Sequence, residues 1–269
     1  FYGGSFTAIP KDLQHKLLMP AYEILQRGII DGIRCSTRPD AVGDEAITLL
    51  QSYGVKTVEL GVQSMNDGIL VDAKRGHTAQ EVVEAVTRLK QHDMIVGVQL
   101  LPGLKGETWQ TIIETAIAVV ALQPDFIRIY PVLVIENTEL AEQYRAGEYE
   151  PLSTELAIQY CAFLKNWFEQ HGIEVIRTGL QSTEELDSGN SLVAGPYEPA
   201  MGELVVNEQY KQRIERCIDE YVSQYKYSLS NDCFNLTEYA TYENLGFSRV
   251  NADNSGYIDN TNNDRTNYI

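Results

Sequence analysis

Cysteine is scarce in this chain, with four in 269 residues, at positions 35, 161, 217 and 233. They are far apart and form no CxxC pair, which excludes a disulfide framework and a zinc knuckle. Each is expected to be a small buried hydrophobe in a reducing, cytoplasmic compartment. Long apolar runs are also missing. No segment reaches the roughly 18–20 residues that a membrane helix needs, so no membrane partner is expected. The chain opens on Phe1-Tyr2-Gly3-Gly4, without an initiator Met, a basic n-region or an apolar h-region, so it is not a signal peptide. That opening reads as the end of a buried strand entering a glycine turn, and a chain beginning inside a strand is expected to be a fragment. Basic charge is short as well: 21 Lys and Arg stand against 38 Asp and Glu, for a net charge of −17. The balance is −2 over residues 1–100, −10 over 101–200 and −5 over 201–269. Such an acidic surface repels nucleic acid non-specifically. Phosphate loops of the G-x-x-x-x-G-K-[ST] kind, strand–G-x-G-x-x-G units and G-x-S-x-G elbows are all absent.

What is present is the composition of a folded enzyme core. Hydrophobic residues make up 43% of the chain, enough for one large domain with an appendage. Apolar spacing predicts a first helix over 11–26, which Pro20 is expected to end or kink near Met19. Strands are predicted over 33–38, 56–63, 95–101, 126–133 and 173–177. Helices are predicted between them over 44–53, 66–74, 78–91, 108–122, 139–145 and 154–171. Thr78 and Glu81 form a T-x-x-E capping box opening one of these helices. The alternation points to βα units on a parallel sheet. After about residue 202 the pattern weakens to one possible helix over 207–227. A polar tail follows over 228–269, rich in Asn, Asp, Thr, Ser and Tyr. The division expected is a core over 1–202 and a helical extension with a polar tail over 203–269.

Side chains alternate faces along a strand. One face collects Arg34, Ser36 and Arg38, then Glu59, Gly61 and Gln63, then Gly97 and Gln99, then Arg128 and Tyr130. The other collects Ile33, Cys35, Val58, Leu60, Val62, Val96, Val98, Ile127 and Ile129. Strands of a parallel α/β sheet are usually apolar on both faces. Four successive strands with one polar face therefore imply a shared wet surface. In a barrel that surface is the lumen, with the active site at the carboxyl ends of the strands. The competing reading is that these groups satisfy one another in a structural network.

Two glycine-rich loops sit at strand ends, Gly3-Gly4-Ser5 and Leu101-Pro102-Gly103-Leu104-Lys105-Gly106-Glu107-Thr108. Glycine there lets backbone groups approach a ligand closely. His15, His92 and His171 read as surface helix residues, and His77 as a turn residue rather than a catalyst.

Six segments in order carry a family resemblance: Phe1-Tyr2-Gly3-Gly4-Ser5-Phe6-Thr7, Ser36-Thr37-Arg38-Pro39-Asp40, Glu59-Leu60-Gly61-Val62-Gln63-Ser64, Arg75-Gly76-His77-Thr78, Leu101-Pro102-Gly103 and Ile129-Tyr130-Pro131. Over about residues 1–200 the chain resembles the radical S-adenosylmethionine (SAM) domain of the Elongator catalytic subunit and its bacterial relatives. It is more distantly similar to oxygen-independent coproporphyrinogen oxidase. The resemblance implies an α/β fold, a partial (β/α)6 TIM-like barrel open at one side. Counting the strand tip at residue 1 and the four stripe-bearing strands as core strands leaves one strand, with its CxxxCxxC-type cluster loop, expected upstream.

In the family, three thiolates hold a [4Fe–4S] cluster whose open iron binds the amino and carboxylate groups of SAM. An electron from the cluster, delivered by a flavodoxin- or ferredoxin-type donor, then cleaves the sulfonium to a 5′-deoxyadenosyl radical. By position, Gly3, Gly4 and Ser5 match the motif that contacts the amino group of SAM. Gln63 and Arg75 match contacts to its ribose and carboxylate. Ser36 stands where coproporphyrinogen oxidase has a carboxylate. Glu59, Gln99, Arg128 and Tyr130 are expected to face substrate, from the stripe alone. No residue is expected to bind metal, so the fragment by itself is expected to be inactive. Its parent would modify the wobble uridine of tRNA. Two other readings stand beside this one: a coproporphyrinogen-oxidase-like enzyme of a small molecule, and a non-catalytic binding module. Residues 240–247 faintly resemble the end of an acetyltransferase fold, and the match is taken as chance.

Overall fold

A computed structural model describes residues 1–229 apart from Tyr2, Ser188 and Asn190. Cys233, the segment 240–247 and almost all of the 228–269 tail lie outside the described residues. Residues 1–215 form one compact unit, and a second unit starts at Arg216.

The compact unit is a run of βα units. Helix α1 (Lys11–Gln26) leads to β1 (Ile33–Thr37), α2 (Asp44–Ser52) and β2 (Val55–Gln63). Then come α3 (Asp67–Asp72), α4 (Ala79–Gln91), β3 (Ile95–Leu100), α5 (Trp109–Leu122) and β4 (Phe126–Ile129). A longer excursion holds β5 (Val134–Ile135) and α6 (Glu139–Arg145), before α7 (Thr154–Gln170) and β6 (Glu174–Thr178). The described chain closes with α8 (Glu184–Asp187), β7 (Leu192–Ala194) and α9 (Met201–Leu229).

Five strands form one sheet in the order β1-β2-β3-β4-β6, every pair parallel. Phe1 extends it at the β1 edge. Its amino group donates to the Arg34 carbonyl at 2.5 Å, and Ser36 N–H donates to the Phe1 carbonyl at 2.9 Å. That is the pattern of a parallel strand tip, and the backbone turns away from it through Gly3 and Gly4. β5 and β7 make a small antiparallel ribbon of their own.

The register fixes both faces. Ser36 pairs with Glu59 and Glu59 with Gly97, while Gly61 pairs with Gln99 and Gln99 with Arg128. The predicted polar stripe is therefore continuous across four strands. On the opposite face Cys35, Val58, Leu60, Val62, Val96, Val98, Ile127 and Ile129 are all fully buried, in one cluster with Leu18, Ile47, Leu50, Leu89, Leu164 and Phe168 of the surrounding helices. Each such side chain contributes roughly 1.5–3 kcal/mol by leaving water. That closed outer layer holds the strands whose inner face carries the site.

Several local expectations are met and some are corrected. Thr78 Oγ1 accepts from Glu81 N–H at 3.2 Å and the Glu81 carboxylate accepts from Thr78 N–H at 2.7 Å, the predicted capping box. Pro20 neither ends nor breaks α1, which runs to Gln26. It lies on the exposed side, where water can reach the carbonyl its missing N–H leaves unpaired. β4 stops at Ile129, not Leu133. Pro131 has no N–H to continue the ladder, and Val132 N–H donates instead to the Pro102 carbonyl at 2.9 Å. α9 is longer than the helix expected over 207–227. Cys35 and Cys161 are buried, and burial pushes the Cys35 thiol up to about 12 and the Cys161 thiol up as well. Cys217 breaks the expectation, because it is exposed on α9.

Candidate active site

The inner face of the sheet divides into two tiers. Glu59 on β2 sits at the centre of the lower one, with none of its side chain exposed. Arg34 Nε lies 2.9 Å from Glu59 Oε1, and Arg128 Nε lies 3.2 Å from Oε2. Gln99 Nε2 donates to Oε2 at 3.0 Å, and Arg128 Nη1 donates to the Tyr130 hydroxyl at 2.9 Å. Two guanidiniums and an amide thus compensate one desolvated carboxylate. Phe126 fills the space beside them, with the Arg34 guanidinium 5.7 Å from its ring centre. A Cβ at Gly97 would run into the Phe126 ring and stand 3.1 Å from Glu59 Cγ, so glycine makes this packing possible.

The upper tier, at the carboxyl ends of the strands, is unsatisfied. Gln63 ends β2 with φ +70 and is 6% exposed, and its Oε1 is buried without a hydrogen-bond partner. Arg75, in the turn between α3 and α4, has a buried Nε that is likewise unpartnered. The two meet at Gly61. A Cβ there would stand 2.8 Å from Gln63 Nε2 and 3.9 Å from Arg75 Nη2. Burial, and then the neighbouring Arg38 charge, lower the Arg75 pKa. Arg38 is itself engaged by Asp40, Nε to Oδ1 at 2.9 Å and Nη2 to Oδ2 at 2.5 Å. Ser36 Oγ, level with Glu59 in the tier below, is buried and unpartnered as well. Gly3 (φ +141) and Gly4 (φ +75) leave the Phe1 strand tip at this same end of the sheet, and a Cβ on either would meet nothing within 4 Å. Arg75 also lines a cavity of about 350 Å³, together with Leu101, Leu104, Tyr130, Leu140 and Leu180 among others.

The rim of that cavity is the Leu101–Thr108 loop. Glu107 accepts from Gly103 N–H at 2.5 Å, and the Tyr149 hydroxyl donates to the Gly103 carbonyl at 2.7 Å. Burial raises the Glu107 carboxyl from an ordinary 4.5 to about 7, against the hydrogen bonds from Gly103 and Leu104.

Of the sequence-predicted residues, Glu59, Gln99, Arg128 and Tyr130 come together in one network, with Tyr130 also reaching the cavity. Gln63 and Arg75 come together above it, with Gly3, Gly4 and Ser5 at the same end. Sequence reasoning placed Arg38 on the polar face without a partner or role, and did not single out Glu107 or a buried role for His77. Only the position of His77 and Glu107 inside quoted motifs pointed to them. Among the described residues no group of three His, Cys, Asp or Glu side chains converges as metal ligands would.

Comparison with known proteins places the chain in a family. Residues 1–118 match the Radical SAM superfamily and residues 124–212 match the Radical SAM C-terminal domain. The chain belongs to the radical SAM superfamily. It is 33% identical to the tRNA uridine(34) acetyltransferase of Methanocaldococcus jannaschii over 186 residues, which is 68% of this chain and 33% of that protein. It is 26% identical to human Elongator complex protein 3 over 64% of this chain and 36% of that protein. Among solved structures it matches archaeal Methanocaldococcus infernus Elp3, carrying an N-terminal deletion, at a TM-score of 0.67 and 27% identity, over 78% of this chain and 53% of that one. Coproporphyrinogen III oxidase from Escherichia coli, a radical SAM enzyme, matches at a TM-score of 0.51 and 18% identity over 63% of this chain and 39% of that one, and shares the fold. The chain spans about a third of the length of these two curated relatives.

Radical SAM proteins use SAM and a [4Fe–4S] cluster. The upper tier fits SAM in its donor and acceptor chemistry: an unpartnered buried amide acceptor lies near a half-buried guanidinium that also lines the cavity, and an open glycine turn lies at the same end of the sheet. The described thiols do not fit the cluster, because Cys35 and Cys161 are packed into the outer core and Cys217 stands alone on α9. No step is assigned to them. No helix among the described residues is long and apolar enough to cross a membrane.

Proposed function

We propose that this chain forms the SAM-binding core of an Elongator-type radical enzyme whose full-length form modifies the wobble uridine of tRNA. The observation that carries this reading is the pair of unpartnered buried groups, Gln63 Oε1 and Arg75 Nε, at the carboxyl end of a parallel sheet. Gln63 Oε1 lacks a donor, and a ribose hydroxyl supplies one. Arg75 lacks an acceptor, and the SAM carboxylate matches its planar fork. Gly3, Gly4 and Ser5 bring backbone groups up to the amino group of SAM, and Ser36 lies beneath as a reserve of hydrogen bonding. Glu59, Gln99 and Arg128 form the floor that holds this tier, and Tyr130 turns from the floor toward substrate in the cavity. Bound and reduced, the cofactor pair supplies an organic radical, while these residues position SAM and exclude water.

The uridine assignment rests on relatives named for tRNA uridine(34) modification. We assign residues 1–202 to the core and 203–269 to an extension, and expect a flavodoxin- or ferredoxin-type electron donor in a reducing cytoplasm. The test is anaerobic reconstitution of the full-length protein with iron and sulfide, then assay for 5′-deoxyadenosine from SAM and dithionite. Product that is lost in Gln63→Ala and in Arg75→Ala supports the reading. A folded protein that binds no SAM overturns it.

A further inference from the structure

We propose that His77 is a positioning residue that holds Gln63 in its SAM-binding conformation. The inference rests on the reading of Gln63 as a cofactor contact and adds how that contact is kept in place. Gln63 is a non-glycine residue at φ +70. Ser64 N–H donates across it to the Val62 carbonyl at 2.9 Å, an i→i+2 bond. With positive φ at the centre this is the rare, strained form of the γ-turn. Such a conformation persists only where its surroundings over-determine it, and it gathers at functional sites.

Here the surroundings are specific. His77 is 5% exposed, and its Nε2 lies 3.1 Å from the same Val62 carbonyl. A carbonyl only accepts, so Nε2 carries the proton and donates. The Val62–Gln63 peptide group is thus fixed at its oxygen by two donors. The following carbonyl, that of Gln63, accepts from Leu101 N–H of the cavity rim at 3.0 Å. Behind the turn, Met65 N–H donates to Thr115 Oγ1 at 3.1 Å and Asn66 N–H donates to Ser64 Oγ at 3.2 Å. His77 lies two residues after Arg75, which ties the turn carrying the guanidinium to the strand end carrying the amide. A single imidazole therefore sets the relative placement of both unpartnered groups, without itself facing the cavity.

The test is a double-mutant cycle read by calorimetric SAM affinity in the full-length, cluster-loaded enzyme under anaerobic conditions. His77→Phe keeps an aromatic ring, somewhat larger than imidazole, and removes the donor. It is expected to weaken SAM binding at least tenfold, as Gln63→Ala does, and the two losses are not expected to multiply in the double variant. His77→Gln, whose amide reaches where Nε2 stood, is expected to bind within about threefold of wild type. His77→Asn, one methylene shorter, is expected to behave like His77→Phe. Should His77→Phe not fold, the Gln and Asn variants decide the question. Wild-type affinity in His77→Phe beside a loss in Gln63→Ala overturns the positioning role alone, and so do losses that multiply. Unchanged affinity in Gln63→Ala overturns the reading of Gln63 itself.

Discussion

Below Gly61, the inner face of the sheet is closed around Glu59, whose carboxylate is held by Arg34, Arg128 and Gln99. Above Gly61, an amide oxygen and a guanidinium nitrogen are buried with nothing to bond. Both tiers draw on the same residue types, Gln and Arg on strand ends or the turns that follow, and both are shielded from water. The difference is that the lower tier supplies its own counter-groups and the upper one leaves them to a ligand. An unmatched buried donor or acceptor costs about 1–3 kcal/mol. A fold that retains two of them at one point is pre-organised for something that arrives later. On the proposed function, the lower tier is structure and the upper tier is site.

The largest effect is expected from Glu59. Replacing it with Leu leaves Arg34 and Arg128 facing each other without a counter-charge. Breaking a buried pair in this way costs about 3–5 kcal/mol, measured as a lower urea midpoint. Stability unchanged within about 0.5 kcal/mol would mean that the floor is solvated and the two tiers are one wet surface.

Glu107 sharpens the boundary at the rim. Its carboxyl is raised from 4.5 to about 7 by burial, so the folded state binds a proton more tightly than the unfolded one. Its contribution to stability is present below about pH 4.5 and is lost as pH rises through about 7. Between about pH 5 and about pH 8 the protein should lose on the order of 2–3 kcal/mol through this group. Glu107→Gln should flatten that slope in urea melts at the two pH values. The same slope in the variant would show that Glu107 is solvated in the folded state.

Gly97 tests how tightly the floor is filled. Alanine there must displace the Phe126 ring or the Glu59 stem, an overpacking cost of about 1–3 kcal/mol. SAM affinity should change less than twofold, because the upper tier is a different layer. A large loss of affinity at small loss of stability would show the layers to be coupled.

Much of this was legible in the residues. Period-two alternation put Arg34, Glu59, Gln99 and Arg128 on one face, and register then had only to align them. The T-x-x-E signal located the start of α4. Alternation could not say whether those polar groups face a ligand or one another, because that depends on which strand lies beside which and at what height. Glu59 lands between two arginines only once Ser36, Glu59 and Gly97 are level. Positive φ at Gln63 was invisible too, since glutamine carries no preference for it and the turn is imposed by His77, Ser64 and the bulge against β3. Pro20 misled because its effect depends on whether its side of the helix is wet.

The smallest expected effect is the most diagnostic. Gln63→Gly removes the side chain and also the cost of holding a non-glycine residue at positive φ, which is about 1–2 kcal/mol. It further deletes a buried acceptor without a partner. The variant should therefore be more stable than wild type, by about 1 kcal/mol in urea denaturation. SAM affinity should fall at least tenfold in the same protein. Glu59, Gln99 and the two arginines cannot behave this way, because each of them is compensated and its removal only costs stability. Opposite signs for stability and binding at Gln63, against loss of stability at Glu59, are what a site built above a floor predicts. If Gln63→Gly instead loses stability as Glu59→Leu does, the amide is part of the floor, and the division at Gly61 is drawn one layer too low.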